Sequence, residues 1–538
     1  MLAGLRPLIW LILRRDRFKL PVWIASVSLS LLAMVPLLKD VYGDAASLES
    51  VHQSFSANPA GLFLTGPMDA ATFGAFMTIE TVLWWGLAIA FMNTLFVVRH
   101  TRQNEEMGAQ ELILSGRTHR ATGLVATLIV AFFANVLLAL LMGVGLNLMN
   151  SSFSGADLWL YGAAFGIFGM VWATVAAIVA QLVESARTAN GILASLIGAT
   201  FLLRGIGDFM GNLNSHGAVD AAWPSLLSPF GWMQSARALT FPEWSSVLLP
   251  ILFVVAALPV AFILLNHRDI GAGIIPSRRG RARASWLLRT LTGVTWKLQK
   301  NIFTGWLIGV VVMAVTVGSL VPMMGSVYEE SEQMQQMIIA MGGKGEIVPS
   351  FLAAMLSIMV LMSLAYVLQA LGKARYEETA GHLENLLSTR VSRLRWLGLH
   401  GGVAIVGGII LPVVASITMA VCVNAASDVT VNVNEYALAG LTYAPVVLFF
   451  AGLYVLLLGM WSRGAGLVTW VYFGFVLFAL WIAPLLQLED WMMNMSVMSY
   501  LPAVPVEPIA WTPVIVLSGI SIALLCIGFI SFSARDTE

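Results

Sequence analysis

Long apolar runs alternate with short polar stretches along the whole chain. Twelve runs reach roughly the 20 residues needed to cross the hydrocarbon core of a bilayer. They lie at about 18–38, 72–98, 121–149, 158–183, 190–207, 246–266, 303–325, 350–372, 396–423, 437–461, 465–486 and 511–533. The expected architecture is an all-α integral membrane protein with twelve transmembrane helices. Two polar islands interrupt the pattern. Arg102–Arg120 reads RQNEEMGAQELILSGRTHR, and 273 residues later, without a gap, Arg375–Arg393 reads RYEETAGHLENLLSTRVSR. Arg102/Arg375, Glu105/Glu378, Gly108/Gly381, Glu111/Glu384, Leu114/Leu387, Ser115/Ser388, Arg117/Arg390 and Arg120/Arg393 are identical. From Arg102 to Leu114 the shared positions fall every third residue, a spacing that gathers them on one side of an α-helix. The expectation is a charged stripe with a glycine in its middle, where another surface can approach closely. One such island would pass for a solvated connector. Two copies at half the chain length point to an interaction surface used twice.

The duplication extends further and sets the domain organisation: a first six-span half, residues 1–275, and a second, residues 276–538. Pro36-x4-Val41-Tyr42 returns as Pro322-x4-Val327-Tyr328, and Trp23 as Trp306. Six spans per half mean that both halves enter the bilayer from the same side, as parallel repeats. Each half opens with an amphipathic segment, Leu5–Lys19 and Trp286–Lys300, suited to lie in the membrane interface. An ordinary positive flank is the rival reading. Between the halves, Arg278, Arg279, Arg281 and Arg283 with nearby glycines suit a linker.

Composition agrees with the pattern. The 538 residues are 58% hydrophobic and only 11% charged, against roughly 25% charged in soluble domains. With a net charge of zero, no bulk attraction to nucleic acid is implied. If both termini are cytoplasmic, all 29 Lys and Arg fall inside except Lys39, Arg204, Arg237 and Lys344. That bias orients the chain as a multi-pass membrane protein with both termini and both islands in the cytoplasm. Cys422 and Cys526 lie in apolar runs and read as small buried hydrophobes. The Trp- and Pro-rich stretches at 208–245 and 487–510 read as extracellular caps.

Candidate chemistry is sparse. Met341-Gly342-Gly343-Lys344-Gly345 lacks the glycine spacing and the Ser/Thr of a nucleotide loop. The His, Cys and acidic residues form no metal or nucleophile pattern. No cofactor is therefore expected in this chain. Glu80 and Arg204 stand inside apolar runs, where charge is costly and defaults to function. Both fall toward the outer side at ~1.5 Å per residue, so they can pair with each other. Alternatively Arg204 pairs with Asp208 one turn away, or Glu80 meets water, substrate or a proton. Trp84, Asn93 and its repeat counterpart Tyr366 are candidates to line an apolar cavity; helix packing is the plainer reading.

The islands resemble the conserved cytoplasmic segment of type-2 ABC exporter permeases, whose pattern is Glu-x-x-Gly-x-x-Glu-x-Leu-Leu. Here it stands as Glu105-x2-Gly108-x2-Glu111-x-Ile113-Leu114 and Glu378-x2-Gly381-x2-Glu384-x-Leu386-Leu387. Arg117 and Arg390 stand near a place where that family often has Pro. Twelve spans in one chain, Leu227-Ser228-Pro229-Phe230-Gly231-Trp232 and the Pro-rich run before the last span are similar to the actinobacterial polyketide-antibiotic, tetronasin-type subgroup. The resemblance implies coupling helices at 102–114 and 375–387, with Arg102, Glu105, Gly108, Glu111, Arg375, Glu378, Gly381 and Glu384 seating two separate ABC ATPase subunits. ATP and Mg would belong to those partners, and the cargo would be a hydrophobic drug-like or antibiotic compound. Two rivals stand beside it. A proton-driven twelve-span transporter would want more ionisable groups in its spans, and a scaffold relaying ATPase motion would want larger outer loops.

Overall fold

The computed structural model describes residues 4–57, 62–63, 65–116, 118–149, 153, 155–213, 219–276, 283–330, 347–427, 429–481, 489–502 and 504–535. Arg117, Arg278, Arg279, Arg281 and the Met341–Gly345 stretch lie outside the described residues, as do the side chains of Pro322, Val327 and Tyr328. The chain forms two units, Met1–Gly280 and Arg281–Glu538. Each contains six helices long and apolar enough to cross a membrane. Helices are what such runs must form, because lipid offers no partner for an open backbone N–H or C=O.

In the first unit, α1 (Leu5–Arg15) precedes the span α2 (Lys19–Tyr42), and α3 is Ala45–Ala57. The second span, α4 (Phe73–His100), runs into the short α5 (Arg102–Glu106) and α6 (Ala109–Leu114). Spans α7 (Thr122–Met149), α8 (Gly155–Leu182) and α9 (Ala186–Phe209) follow. Two short helices, α10 (Trp223–Leu226) and α11 (Pro229–Gln234), lead to the last span, α12 (Leu248–His267). A two-residue ladder pairs β1 (Asn212–Leu213) with β2 (Val219–Asp220), Leu213 facing Val219. Spans α4 and α8 form the centre, with 67% and 72% of their apolar windows buried against 17% for α12. Small residues let α7 and α8 close on each other: a Cβ on Gly162 would stand 2.3 Å from the Ala139 carbonyl oxygen.

At the end of this unit opposite the islands, the Leu227–Trp232 motif packs inward. Ser228 Oγ donates to the Thr200 carbonyl at 2.6 Å and accepts from the Phe230 amide at 3.2 Å. That cap turns Phe230 into the bundle, against Phe168 and Phe201, with centroids at 5.0 and 5.9 Å.

The second unit holds α13 (Leu291–Glu330), α14 (Ile347–Thr379), α15 (His382–Leu387), α16 (Arg393–Ala426), α17 (Val433–Thr442), α18 (Ala444–Met460), α19 (Ser462–Trp481), α20 (Asp490–Met493) and α21 (Trp511–Ala534). A break at Tyr443 splits the tenth span into α17 and α18. Glycines bring α18 and α21 together: a Cβ on Gly528 would fall 2.6 Å from the Leu456 amide nitrogen. Two expectations change here. Trp286–Lys300 is not a separate interfacial helix; a single 3-10 turn at Trp286–Arg289 leads into α13, which is continuous from Leu291. Cys526 is exposed on α21 and Cys422 is half-buried, because the apolarity of a span does not tell its packed face from its open one.

Candidate functional site

The islands are not single helices. The chain stops at Met107 and Ala380, passes through a left-handed glycine and starts a new short helix. Gly108 has φ 71° and ψ 0°, and Gly381 has φ 73° and ψ 3°. Only glycine adopts that geometry without strain. A Cβ at either position would meet nothing within 4 Å. The glycine is therefore required by the turn, and the single charged stripe expected from the spacing is broken into two differently facing parts.

The first part turns inward. Arg102 is fully buried; its Nε donates to the Ala180 carbonyl at 2.9 Å and its Nη1 and Nη2 to the Ala272 carbonyl at 3.1 Å. Glu105 accepts from Arg102 Nη1 at 3.1 Å and from Arg268 Nη1 and Nη2 at 2.8 and 2.5 Å. Arg268 also donates through Nε to Gln181 Oε1 at 3.0 Å, and its own carbonyl accepts from Arg120. In the second unit Glu378 is buried against Arg535, whose Nη1 donates to the Leu458 carbonyl at 2.9 Å and whose carbonyl accepts from Arg393. Arg268 and Arg535 are the C-cap residues of α12 and α21. Arg375 is half-buried, with Nη1 3.5 Å from where a Cβ on Gly466 would stand.

A second layer braces each base. Asp16 meets Arg99 at 2.9 Å and His100 Nε2 at 2.6 Å, fixing the turn between α1 and α2 to the end of α4. Glu106 accepts from the Ala186 amide at 3.1 Å, a carboxylate on a helix N-terminus. In the second unit Glu377 holds Lys373 at 2.5 Å and His382 at 2.8 Å.

The second part of each island faces out. Glu111, Leu112 and Met107 are exposed, Leu112 at 78%. Glu384, Tyr376, Asn385 and Arg390 are exposed in the second unit, while Leu383 anchors α15 by burial.

The intramembrane candidates do not converge. Arg204 pairs with Asp208 at 3.2 Å and donates to the Phe63 carbonyl at 2.9 Å. Among the described residues no ion pair joins it to Glu80, because Asp208 stands one helical turn away. Glu80 is half-buried, and Trp84, one turn on, is 58% exposed. Asn93 is buried in a reciprocal amide pair with Asn135, at 3.1 and 2.7 Å. Asn135, but not Asn93, lines an apolar groove of about 250 Å³ between α7 and α8, together with Phe132, Val136, Leu140, Trp159 and Met170 among others. Tyr366 instead donates to the Val403 carbonyl at 3.2 Å over Gly407, where a Cβ would stand 2.3 Å from its hydroxyl. Among the described residues no group of three or more His, Cys, Asp or Glu could hold a metal.

Comparison with known proteins agrees with a transport role. Residues 288–533 match the family described as multidrug efflux system permease Rv1217c, C-terminal domain. Over 538 residues, all of this chain and 96% of the relative, the sequence is 28% identical to the multidrug efflux system permease protein Rv1217c of Mycobacterium tuberculosis. The chain is thus a multi-pass membrane protein similar, over its full length, to that mycobacterial permease.

Proposed function

We propose that this chain is the membrane subunit of an ATP-driven exporter of hydrophobic drug-like or antibiotic compounds, with one separate ABC ATPase docked on each island. The observation that carries this reading is the repeated helix–glycine–helix element. Twice the fold braces the base of the element through arginines, buried in the first unit and half-buried in the second, while leaving an acidic tip, Glu111 or Glu384, uncovered. A solvated connector has no need for bracing of that kind. The halves 1–275 and 276–538 would act as the two moving bodies, with both termini in the cytoplasm beside the ATPases. ATP and Mg bind on those partners, since no nucleotide loop is present in this sequence. The apolar groove lined by Asn135, Trp159 and Met170 suits contact with a hydrophobic cargo, which must bind the inward and outward states unequally for the cycle to do work.

The test is co-expression with the ATPase encoded beside the permease. The expected complex holds one permease and two ATPase subunits, and the isolated permease hydrolyses no ATP. A permease that purifies without the ATPase under conditions preserving both would sink the reading.

A further inference from the structure

Each island is tied to a part of the fold that the repeat in sequence does not reveal. Arg268 and Arg535 are the residues on which α12 and α21, the last spans of their units, end. Each reaches three places at once. Its guanidinium grips the first carboxylate shared by the two islands, Glu105 or Glu378. The same guanidinium reaches the end of the fourth span of its unit, at Gln181 or the Leu458 carbonyl. Its backbone carbonyl is taken by the last arginine of the island, Arg120 or Arg393. The same set of contacts is thus built twice, from non-aligned arginines.

We propose that Arg268 and Arg535 are positioning residues for transport: they latch the sixth and twelfth spans to the islands, so that displacement of an island by its ATPase carries the last span of that unit with it. The inference rests on the reading of the islands as ATPase docking elements. Its physical basis is stiffness. In the first unit Arg268 grips Glu105 as a two-armed fork, and in the second Arg535 divides its guanidinium between Glu378 and the Leu458 carbonyl; either hold fixes distance and angle, whereas a single contact leaves a hinge. Without the latch, α4 and α14 would still follow the islands, being joined to them by the chain. Spans α12 and α21 have no such covalent link, and they pack chiefly on α8 and α18, the fourth spans of their units, not on the islands.

The test is hydrogen–deuterium exchange on the full permease with its ATPase in lipid nanodiscs, with and without ATP and vanadate. In the wild type, trapping should change exchange in 103–115 and, together with it, in 262–270; in the second unit 376–388 and 526–535 should respond together. Arg268→Lys keeps the charge and loses the fork. Its island should respond as in the wild type, while the response of 262–270 falls by roughly tenfold, the scale of a lost charged hydrogen bond. Arg535→Lys should do the same for 526–535 alone. The Glu378→Arg, Arg535→Glu exchange should restore the joint response, which a merely missing packing contact would not. If 262–270 responds fully in Arg268→Lys and in Arg268→Gln, the latch is not the link and the proposal is overturned. If the ATPase binds but neither island responds in the wild type, the docking reading itself has failed, and the latch falls with it.

Discussion

Arg268 and Glu105, 163 residues apart, meet through two parallel contacts of 2.8 and 2.5 Å inside the first unit. Leaving a buried charge without any partner costs about 3–5 kcal/mol; Arg102 still faces Glu105 when Arg268 is removed, so the loss here should fall below that range. Arg268→Ala should therefore lower the thermal midpoint of the purified permease in detergent and reduce its yield. Glu111→Ala, on an exposed tip, should stay within about 0.5 kcal/mol of the wild type. Tryptophan-fluorescence melting of both variants decides; equal midpoints would mean that the buried pair is not holding the island in place.

The fold class and the spans are legible in the sequence because crossing a bilayer imposes length and apolarity on every run. The island network is legible only in part. Glu105 and Glu378 stand out through the 273-residue repeat, yet their partners Arg268 and Arg535 are 267 residues apart, so a gapless shift passes over them. The available signal is local: an Arg-Asp dipeptide, Arg268-Asp269 and Arg535-Asp536, follows directly on the sixth and the twelfth apolar runs. The facing of the island was not legible for a different reason. A spacing of three assumes an unbroken helix, and the left-handed turn at Gly108 separates Arg102 and Glu105 from Glu111. Pairing inside the spans depends on which face each residue occupies, which is why Arg204 finds Asp208 while Asn93 finds Asn135.

The Asn93–Asn135 pair should show energetic coupling. Each amide donates to the other, and Gly169 lies against them so closely that a Cβ there would stand 1.9 Å from Asn135 Oδ1. Polar pairs between membrane helices contribute roughly 0.6 kcal/mol on average and up to about 1.7. A double-mutant cycle with Asn93→Ala and Asn135→Ala, read by unfolding in mixed micelles, should return a coupling in that range. Gly169→Ala should reproduce much of the loss by pushing the amides apart. Additive single mutants would make the pair an incidental contact.

Asp69 gives the first unit a pH dependence. Burial pushes its carboxyl above the ordinary 3.8, an effect offset in part by the Arg237 guanidinium 3.4 Å away. Between the ordinary value and the raised one, the folded chain holds a proton that the unfolded chain has released. Stability contributed by this group therefore falls as pH climbs through that interval. Relative to Asp69→Asn, the wild type should lose thermal stability as pH rises from about 4 into the neutral range. Melting curves of the two proteins across that range test the sign; parallel curves would exclude the carboxyl as the source.

The outward halves of the islands carry the prediction on which the functional reading depends. Glu111 and Glu384 are exposed, lie in the first turns of α6 and α15, and follow glycines with matching dihedral angles. Among the described residues no hydrogen bond or ion pair holds either carboxylate. On a docked ATPase each would accept charge-assisted hydrogen bonds, and truncating such a group once buried costs about 2–5 kcal/mol of binding. Glu111→Ala and Glu384→Ala should each weaken ATPase binding, and the double variant should abolish co-purification, with folding and membrane insertion unchanged. Leu112→Asp should act in the same direction in the first unit, because a 78% exposed leucine on a polar tip gains most from a covering surface. Gly108 and Gly381 separate two effects. Alanine there should cost about 1–2 kcal/mol for the left-handed backbone whatever the partner, while a bulkier side chain, starting from a Cβ with no atom within 4 Å, should add a loss seen chiefly in the complex. A pull-down on each variant, paired with a melting curve of the free permease, keeps fold and docking apart. If the Glu111/Glu384 double variant holds its ATPases as firmly as the wild type, the tips are not the docking surface.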